Sequence, residues 1–354
     1  MPCVPGARRR KQKTCSRPWA PSPCSTASTK TGAARRQLSR RSSRVSPPGS
    51  WRTIHDALRH KVADLRGPVH YLDFGGSGQP LLMVHGLAGS ALNWMAVGPQ
   101  IAKTHRALAI DLAGFGQTPL FGRSATVGAN AQLVHDFIAT VIGEPVVLMG
   151  NSMGGHIAIV EASTQPDWVT SMVLVDPAIP GAHVRRPEPA MLGLMAALTV
   201  PGLAQTLLDR RVQTLGPEVL VKRALELVSA DPSRVDPTVV EAHVQLTRER
   251  AQLGRQNGRA LIQASRSIGL RMADPRFWTR VLAVRAPTLV IHGSLDRVIP
   301  ISAVVELGRR RPDWELEILE GAGHVPMMET PGLFMKALNG WSAYRIRSEP
   351  AEAS

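Results

Sequence analysis

The hydrophobic and polar positions of this chain follow two patterns that alternate along residues 69–182. Residues 69–74 alternate between apolar and polar, as in a half-buried strand. Buried-strand patterns, apolar throughout except for Arg106, Asp111 and Asp176, occur at residues 81–84, 106–112, 146–149 and 172–176. Apolar residues at helical spacing fill the intervals near residues 94–102, 125–142 and 156–162. This alternation predicts a mostly parallel sheet covered by helices on both faces, which is an α/β fold.

The alternation stops between residues 183 and 285, where the periodicity is helical and no strand pattern occurs. It resumes with strand patterns at residues 287–293 and 314–319 and helical patterns at residues 301–310 and 331–341. We therefore expect an all-helical cap inserted into an α/β core. The predicted organisation is a first core part at 51–182, the cap at 183–285, a second core part at 286–342 and a C-terminal tail at 343–354.

Residues 1–50 differ from the rest of the chain in composition. They contain twelve Lys/Arg and no Asp/Glu, which leaves only +3 of the formal charge of +15 for the remaining residues. A segment so rich in Arg, Ser and Pro cannot bury enough apolar surface to fold alone, so we expect a disordered basic tail. Three interpretations stay open: an organelle transit peptide, an arm that binds nucleic acid or an anionic membrane, or residues that precede the true start of the protein.

The cysteines and the hydropathy exclude several classes of protein. Cys3, Cys15 and Cys24 all lie in the basic tail, so the rest of the chain has no thiol for a disulfide, a metal or a nucleophile. No apolar run reaches the ~18 residues of a transmembrane helix, and no secretory signal is present. We expect a cytoplasmic protein without a transmembrane segment and, outside the tail, without a nucleic-acid partner. The oligomeric state stays open.

The strongest chemical signal is a serine between a strand pattern and a helix pattern. Residues 150–155 read Gly-Asn-Ser-Met-Gly-Gly, with Ser152 at the point where the strand ends and the helix begins. A serine at such a turn projects its hydroxyl above the sheet, and small neighbours avoid steric clashes there. Backbone N–H groups at the start of the helix point towards any negative charge that develops beside it. Ser152 is therefore the candidate nucleophile.

A serine nucleophile needs a base, and in the chain order nucleophile, acid, base that base is a histidine after Ser152. The candidates are His156, His183, His243, His292 and His324. We favour His324, because it lies in a loop just beyond a strand and can reach across the carboxyl edge of the sheet. His156 lies along the elbow helix, His183 and His243 belong to the cap, and His292 lies within a strand.

The acid that orients the base is best placed in the loop after the preceding strand, at Asp296. Its loop is followed one strand later by the histidine loop. A plain alternative is that Asp296 caps the following helix. The rival acid is Asp176, at the end of the strand that follows the nucleophile.

These segments together resemble the α/β-hydrolase fold family. The segments are His-Gly-Leu at 85–87, Asp-Leu-Ala-Gly-Phe-Gly at 111–116, Gly-Asn-Ser-Met-Gly-Gly at 150–155, Gly-Ser-Leu-Asp at 293–296 and Gly-His at 323–324. The match covers about residues 68–342, with the cap matched only loosely. The resemblance implies Ser152 as nucleophile, Asp296 as acid and His324 as base, with the N–H groups of Leu87 and Met153 as the oxyanion hole.

Differences from the motifs of individual subfamilies narrow the set of reactions that we expect this chain to catalyse. Dehalogenases and epoxide hydrolases of this fold use an aspartate where this chain has Ser152, which disfavours those reactions. Carbon–carbon hydrolases of ring-cleavage products share the Gly-Asn-Ser-Met-Gly-Gly form, but they carry a Gly-Pro-Gly-rich oxyanion loop and usually a tryptophan after the base. Here residues 86–90 read Gly-Leu-Ala-Gly-Ser and Val325 follows His324. The oxyanion loop is also similar to those of monoacylglycerol lipases, small-ester esterases and perhydrolases.

The function expected from these observations is hydrolysis of a carboxylic ester through an acyl-enzyme. An apolar helical stripe that begins at Met191 packs the cap on the core, and part of it could line a site for an apolar acyl chain. We expect a small-molecule ester as substrate, no metal and no organic cofactor, because no cluster has metal-ligand spacing. Two alternatives remain: a carbon–carbon hydrolase of dienoic ring-cleavage products, and a ligand-binding protein of this fold with little turnover.

Overall fold

A computed structural model describes residues 59–180, 205–207, 210, 214–251 and 255–346. Its centre is an eight-stranded sheet in the order β1-β2-β4-β3-β5-β6-β7-β8. The strands are β1 (Arg59–Asp64), β2 (Pro68–Gly75), β3 (Pro80–Val84), β4 (Arg106–Ile110), β5 (Val146–Asn151), β6 (Val169–Val175), β7 (Thr288–Gly293) and β8 (Glu315–Leu319). β1 and β2 are antiparallel to their neighbours, and the pairs from β4 to β8 are parallel. The predicted mostly parallel α/β fold is confirmed.

Helices connect the strands and also make up most of the described residues between β6 and β7. The α-helices of the described residues are α1 (Gly98–Ile101), α2 (Val127–Phe137), α3 (Met153–Thr164), α4 (Pro217–Val228), α5 (Pro237–Ala251), α6 (Arg255–Met272), α7 (Arg276–Ala283), α8 (Ile301–Arg310), α9 (Pro326–Glu329), α10 (Pro331–Gly340) and α11 (Ser342–Ile346). A 3₁₀ turn (Ala91–Trp94) follows β3, and α2 continues as a short π-helix (Ile138–Ile142).

The two faces of the sheet bury two separate hydrophobic clusters. Alternate residues of β5, such as Val146 and Leu148, pack with α2, α3, α6, α7 and α8, whereas Val147 and Met149 pack on the opposite face with α4, α5 and α10. The period of two along a strand explains this division. Because both faces are covered, the central strands are apolar throughout, which is the pattern that predicts them from sequence.

Two features at the margins of the sheet differ from the predicted elements. β1 pairs antiparallel with β2 at the sheet edge, although we expected the regular pattern to begin only at residue 69. Its residues are mostly exposed and carry no continuous apolar run, so periodicity gives no signal. At the other end of the chain, the boundary predicted before residue 343 falls within α11, where Tyr344 is buried.

Between β6 and β7 the described residues form helices and no strand. Buried residues of α4 and α5, including Val221, Leu225 and Val239, join the cluster on one face of the sheet, and Ala260 and Ala264 of α6 join the other. The predicted basic tail, the apolar stripe that begins at residue 191 and the histidine at position 183 lie outside the described residues. No helix in the described part of the chain is long and apolar enough to cross a membrane.

Candidate active site

Ser152 lies at a sharp turn between β5 and α3. Its backbone has φ 53° and ψ −116°, an uncommon conformation for a residue with a side chain. The turn is held because the Ser152 N–H donates to the Val175 carbonyl at 2.9 Å and the Ser152 carbonyl accepts from Ala178 N–H at 3.0 Å. The strain at Ser152 is thus supported by the start of the β6 loop, and α3 begins at the next residue.

The glycines around the serine are required by close backbone contacts. A Cβ at Gly150 would lie 2.3 Å from the Gly154 carbonyl oxygen, and a Cβ at Gly154 would lie 2.3 Å from the Val84 carbonyl oxygen. Both positions therefore exclude any larger residue. This is the physical reason for the glycines on either side of Ser152.

Asp296 and His324 form a direct acid–base pair. Oδ2 of Asp296 lies 2.7 Å from His324 Nδ1, and Oδ1 accepts from the N–H groups of Val298 and Ile299 at 2.7 and 3.0 Å. Burial alone would raise the pKa of Asp296, but the charge and hydrogen bond of His324 and the Ile299 N–H hold that pKa below its ordinary value. Asp296 is therefore a carboxylate that accepts from His324 Nδ1, and in the neutral ring this hydrogen bond makes Nε2 the nitrogen that can accept a proton.

Asn151 links the serine turn to the histidine loop. Its Nδ2 donates to the His324 carbonyl at 3.1 Å and to the Val175 carbonyl at 3.2 Å. Among the described residues the Ser152 hydroxyl has no hydrogen-bond partner. The serine turn and the His324 loop are therefore joined by the Asn151 side chain and not by a direct hydrogen bond between Ser152 and His324. A hydrogen bond between a nucleophile and its base is often long in the unliganded enzyme and shortens only when a substrate binds.

His85 orients the loop that follows β3, where Leu87 lies. Its Nε2 accepts from Leu112 N–H at 3.1 Å, so the proton is on Nδ1, which donates to the Gly86 carbonyl at 2.7 Å. Burial lowers the pKa of His85, which keeps the ring neutral. The peptide is planar and trans, so the Leu87 N–H points away from the anchored Gly86 carbonyl. Ala88, the next residue, has φ 60°.

Asp111 fixes the loops beside this site. Its Oδ1 accepts from Ala91 N–H at 2.7 Å, while Oδ2 accepts from Gln117 N–H at 2.8 Å and contacts His70 Nδ1 at 2.6 Å. One buried carboxylate thus holds both the turn after the Leu87 loop and the glycine loop after β4. The sequence motif at 111–116 contains Asp111, but two of its partners, Ala91 and His70, lie 20 and 41 residues away along the chain.

The other histidines considered from the sequence have structural contacts. His156 is buried on α3, where its Nδ1 donates to the Ala178 carbonyl at 2.9 Å and its ring lies against Phe277; burial lowers its pKa to about 4. Since a carbonyl only accepts, Nδ1 of His156 is the donor. His243 contacts Asn93 Oδ1 at 3.2 Å from α5. His292 is buried in β7, 3.1 Å from Asp176. The His156 backbone N–H donates to the Ser152 carbonyl at 3.1 Å, but among the described residues none of the three imidazole rings has a hydrogen bond to the Ser152 hydroxyl.

The inserted helices are bound directly to the loops that carry the acid and the base. The His324 N–H donates to the Val228 carbonyl at the end of α4 at 2.7 Å. The Arg297 guanidinium, next to Asp296, donates to the Ser229 carbonyl at 2.7 Å. The buried Glu329 carboxylate accepts from the N–H groups of Gly323, Ala230 and Asp231 at 2.9, 3.2 and 2.7 Å. No local sequence pattern predicts these contacts between the end of α4 and the acid and base loops, because the two sides are about 70 to 100 residues apart along the chain.

We expect Glu329→Gln to lower the free energy of unfolding by about 1–3 kcal/mol, because an amide in place of one oxygen leaves a buried backbone N–H without an acceptor. Urea denaturation of the variant and the wild type measures the difference. Glu317→Gln, at an exposed position of β8, is the matched control and should stay within about 0.5 kcal/mol. Equal stability of the two variants would contradict the role given to Glu329.

The described part of the chain contains one group of His, Cys, Asp or Glu side chains close enough to share a metal ion. It comprises Asp176, Asp296 and His324, whose ligand-type atoms lie within 4.8 Å of one another. Two of these residues are already hydrogen-bonded to each other, so the group is an acid–base pair with a second carboxyl beside it. A separate cavity of about 430 Å³ is lined by side chains of α6, α7 and their connection, including Arg271 and Arg280, and not by the acid–base pair.

Comparison with known proteins shows the family to which most of the chain is similar. Residues 81–337, which include the Leu87 loop, the serine turn and the acid–base pair, match the sequence profile of the Alpha/beta hydrolase family. This span is more than half of the chain.

Individual relatives are more distant. The chain is 28% identical over 271 residues to a 2-hydroxy-6-oxo-6-(2'-aminophenyl)hexa-2,4-dienoic acid hydrolase of Metapseudomonas resinovorans, covering 75% of this chain and 84% of that protein. It is 26% identical over 263 residues to a pimeloyl-[acyl-carrier protein] methyl ester esterase of Aeromonas hydrophila subsp. hydrophila, covering 74% and 95%. The crystal structure of a bacterial membrane phospholipase A superposes with a TM-score of 0.61 at 26% identity, covering 82% of this chain and 88% of that chain.

Proposed function

Because this chain belongs to the alpha/beta hydrolase family, we propose that it is a serine hydrolase that cleaves carboxylic esters of mostly apolar small molecules. The observation that carries the proposal is the buried Asp296–His324 hydrogen bond of 2.7 Å beside the strained Ser152 turn. Two similar proteins support the substrate class, since one is named as a methyl ester esterase and the other as a phospholipase.

In the proposed reaction Ser152 is the nucleophile. His324 accepts the Ser152 proton on Nε2 as Oγ attacks the ester carbonyl carbon, and it then gives that proton to the departing alcohol oxygen. Water enters, loses a proton to His324 and releases the acid from the acyl-enzyme, which returns Ser152 to its hydroxyl form. Asp296 stays ionised and stabilises the imidazolium that forms twice in each cycle.

Two backbone N–H groups are proposed to stabilise the oxyanion. Met153 is the first residue of α3, so its N–H has no acceptor within the helix and points outwards from the positive end of the helix dipole. The Leu87 N–H is oriented through the Gly86 carbonyl that His85 anchors. Preorganised donors of this kind lower the energy of the tetrahedral intermediate without rearrangement during the reaction.

We expect His85→Phe to lower kcat by about 10- to 100-fold with a much smaller change in KM, because the Leu87 N–H loses its fixed direction. Steady-state kinetics on one ester measure this. His105→Phe is the matched control, since His105 is also buried but lies at the end of the loop before β4 and stacks on Tyr344. Loss of kcat in both variants alike would point to general damage and contradict the role of His85.

The proposal is tested with p-nitrophenyl esters from short to long acyl chains. The expected result is multiple turnover with kcat/KM highest at one chain length, which would also give the size of the acyl site. If no ester in the series is cleaved, the esterase proposal fails and the ligand-binding alternative gains support.

A second candidate function is hydrolysis of a carbon–carbon bond in a dienoic ring-cleavage product. It is favoured by the 28% identity to the Metapseudomonas resinovorans hydrolase. The loss of absorbance of a 2-hydroxy-6-oxo-hexadienoate distinguishes the candidates. A kcat/KM for this compound above that for the best ester would make carbon–carbon hydrolysis the principal function. Neither reaction requires a metal or an organic cofactor in the mechanism we propose.

A further inference from the structure

A second carboxyl group lies behind the acid–base pair. Asp176 follows β6 and is fully buried. Its Oδ1 accepts from Gly293 N–H at 2.9 Å and lies 3.1 Å from His292 Nδ1. Its Oδ2 is also buried and has no hydrogen-bond donor among the described residues. A buried carboxylate oxygen without a donor is costly, so the protonation state of Asp176 needs an explanation.

The neighbour of this carboxyl group is another acid. A carboxylate oxygen of Asp176, one of Asp296 and a ring nitrogen of His324 all lie within 4.8 Å of one another. Two carboxylates that share a buried site do not both ionise, because each disfavours the negative charge of the other.

The hydrogen bonds decide which of the two acids carries the charge. Asp296 accepts from two backbone N–H groups and from His324, whereas Asp176 has a single backbone donor, from Gly293. Hydrogen-bond donors stabilise the ionised form, so the charge belongs on Asp296 and the proton on Asp176. Burial and the Asp296 charge raise the pKa of Asp176 well above its ordinary value, in agreement with this assignment.

We propose that Asp176 is a positioning residue, a neutral carboxylic acid that donates a hydrogen bond from its buried hydroxyl to Asp296 and holds that carboxylate against His324. This inference deepens the proposed function and rests on it for its catalytic consequence. A proton on Oδ2 of Asp176 gives this buried oxygen a hydrogen bond to Asp296. Asp296 thereby gains a fourth donor, which restricts rotation of its carboxylate. The rival acid considered from the sequence thus becomes a partner of Asp296.

The protonation state can be tested without activity. Four titratable groups face Asp176: Asp296, His292, His324 and Glu329. Burial lowers the pKa of His292 to about 4, so this imidazole is neutral at pH 7 and does not form an ion pair with Asp176. Because Asp176→Asn leaves all four groups in place, their own titrations largely cancel when the variant is compared with the wild type.

The first experiment compares urea unfolding of the wild type and Asp176→Asn between pH 5 and pH 7. The folded state keeps the proton on Asp176 while the unfolded state releases it, so the stability associated with this acid is complete below the unfolded pKa and is lost as pH rises. The unfolding constant of the wild type should therefore increase, relative to the variant, about tenfold per pH unit. A ratio that is independent of pH would mean that Asp176 is ionised and would overturn the proposal.

The wild type alone provides a second readout if the variant does not fold. In protein labelled with ¹³C at the aspartate carboxyl groups, one buried carboxyl should keep the chemical shift of a protonated acid at pH 7. If every aspartate carboxyl has the shift of an ionised group at that pH, the proposal fails.

The positioning role is tested by kinetics on an ester that the wild type cleaves. Asp176→Asn retains an N–H donor to Asp296, so kcat/KM should stay within about threefold and the midpoint of the acid limb of its pH profile should not move. Asp176→Ala removes the donor and should lower kcat about tenfold with KM little changed. If Asp176 were ionised, Asp176→Asn would remove a negative charge near His324 and shift that midpoint down by about one pH unit.

These outcomes separate the two proposals. A wild type that cleaves no ester defeats the proposed function, while the unfolding and NMR measurements still decide the protonation of Asp176. Ester hydrolysis with a shifted acid limb in Asp176→Asn defeats the positioning proposal and leaves the proposed function intact.

Discussion

Replacing Ser152 with alanine is expected to lower kcat by about 10⁴- to 10⁶-fold for the ester that the wild type cleaves best, because no other group in the proposed site can form the acyl-enzyme. KM should change far less, since the hydroxyl contributes little to ground-state binding. The fold should survive, because the Ser152 side chain has no hydrogen-bond partner among the described residues and alanine adds no volume. Stopped-flow and steady-state assays of p-nitrophenol release, with the unfolding midpoint measured in parallel, test both statements.

The matched control is Ser163→Ala on the same helix. Its hydroxyl bonds only to the Val160 carbonyl, one turn back along α3, and kcat should stay within about twofold. Residual activity of Ser152→Ala above about 1% of the wild type, in a preparation free of other esterases, would contradict the nucleophile assignment.

Replacing Asp296 with asparagine is expected to lower kcat by about 10⁴-fold. The amide keeps the size of the side chain but can donate a proton to His324 Nδ1, which favours the ring tautomer with the proton on Nε2. A ring in that tautomer cannot accept the Ser152 proton. If the tautomer of the His324 ring causes the loss of kcat, an external base such as imidazole should partly restore kcat at high concentration. If damage to the fold causes the loss, the external base should have no effect.

Asp167→Asn is the control for this variant, because Asp167 is an exposed acid at the end of α3, far along the chain from the pair. It should leave kcat unchanged within about twofold. If Asp296→Asn kept most of its activity while Asp176→Asn lost it, the acid of the site would be Asp176, and the assignment made here would be wrong.

The parallel core and the loops that carry Ser152, Asp296 and His324 could be predicted from sequence, because they leave local signals. Buried parallel strands are continuous apolar runs, and the turn at Ser152 admits only glycine at positions 150 and 154. Chain order then leaves few histidines that could reach the carboxyl edge of the sheet. These constraints involve residues that are close in sequence, or they follow from the order of the strands in the sheet.

Other parts of the site depend on contacts that no local pattern records. Glu329 reads as one more acid in a helical segment, yet it accepts hydrogen bonds from the nearby Gly323 N–H and from the N–H groups of Ala230 and Asp231, almost 100 residues away along the chain. β1 is an exposed edge strand whose pairing is decided by β2 rather than by its own periodicity. The sequence likewise offers Asp176 and Asp296 as competitors, and the proposal that one is charged and the other protonated depends on their numbers of hydrogen-bond donors in the folded protein.

The hydrogen bonds between the end of α4 and the loops of Asp296 and His324 bear on how substrate binding could affect the reaction. His324 and Arg297 both contact the end of α4 through its backbone carbonyls. A displacement of that helix would therefore move the base loop and the acid loop together.

Identification of the acylated residue tests the central claim most directly. The wild type is mixed with an excess of the best p-nitrophenyl ester, quenched in acid within the first turnover, digested and mapped by mass spectrometry. The account predicts a burst of p-nitrophenol close to one equivalent and an acyl group on the peptide that contains Ser152, with neither in Ser152→Ala. Turnover without a burst and without an acylated peptide, or an acyl group on a different residue, would contradict it.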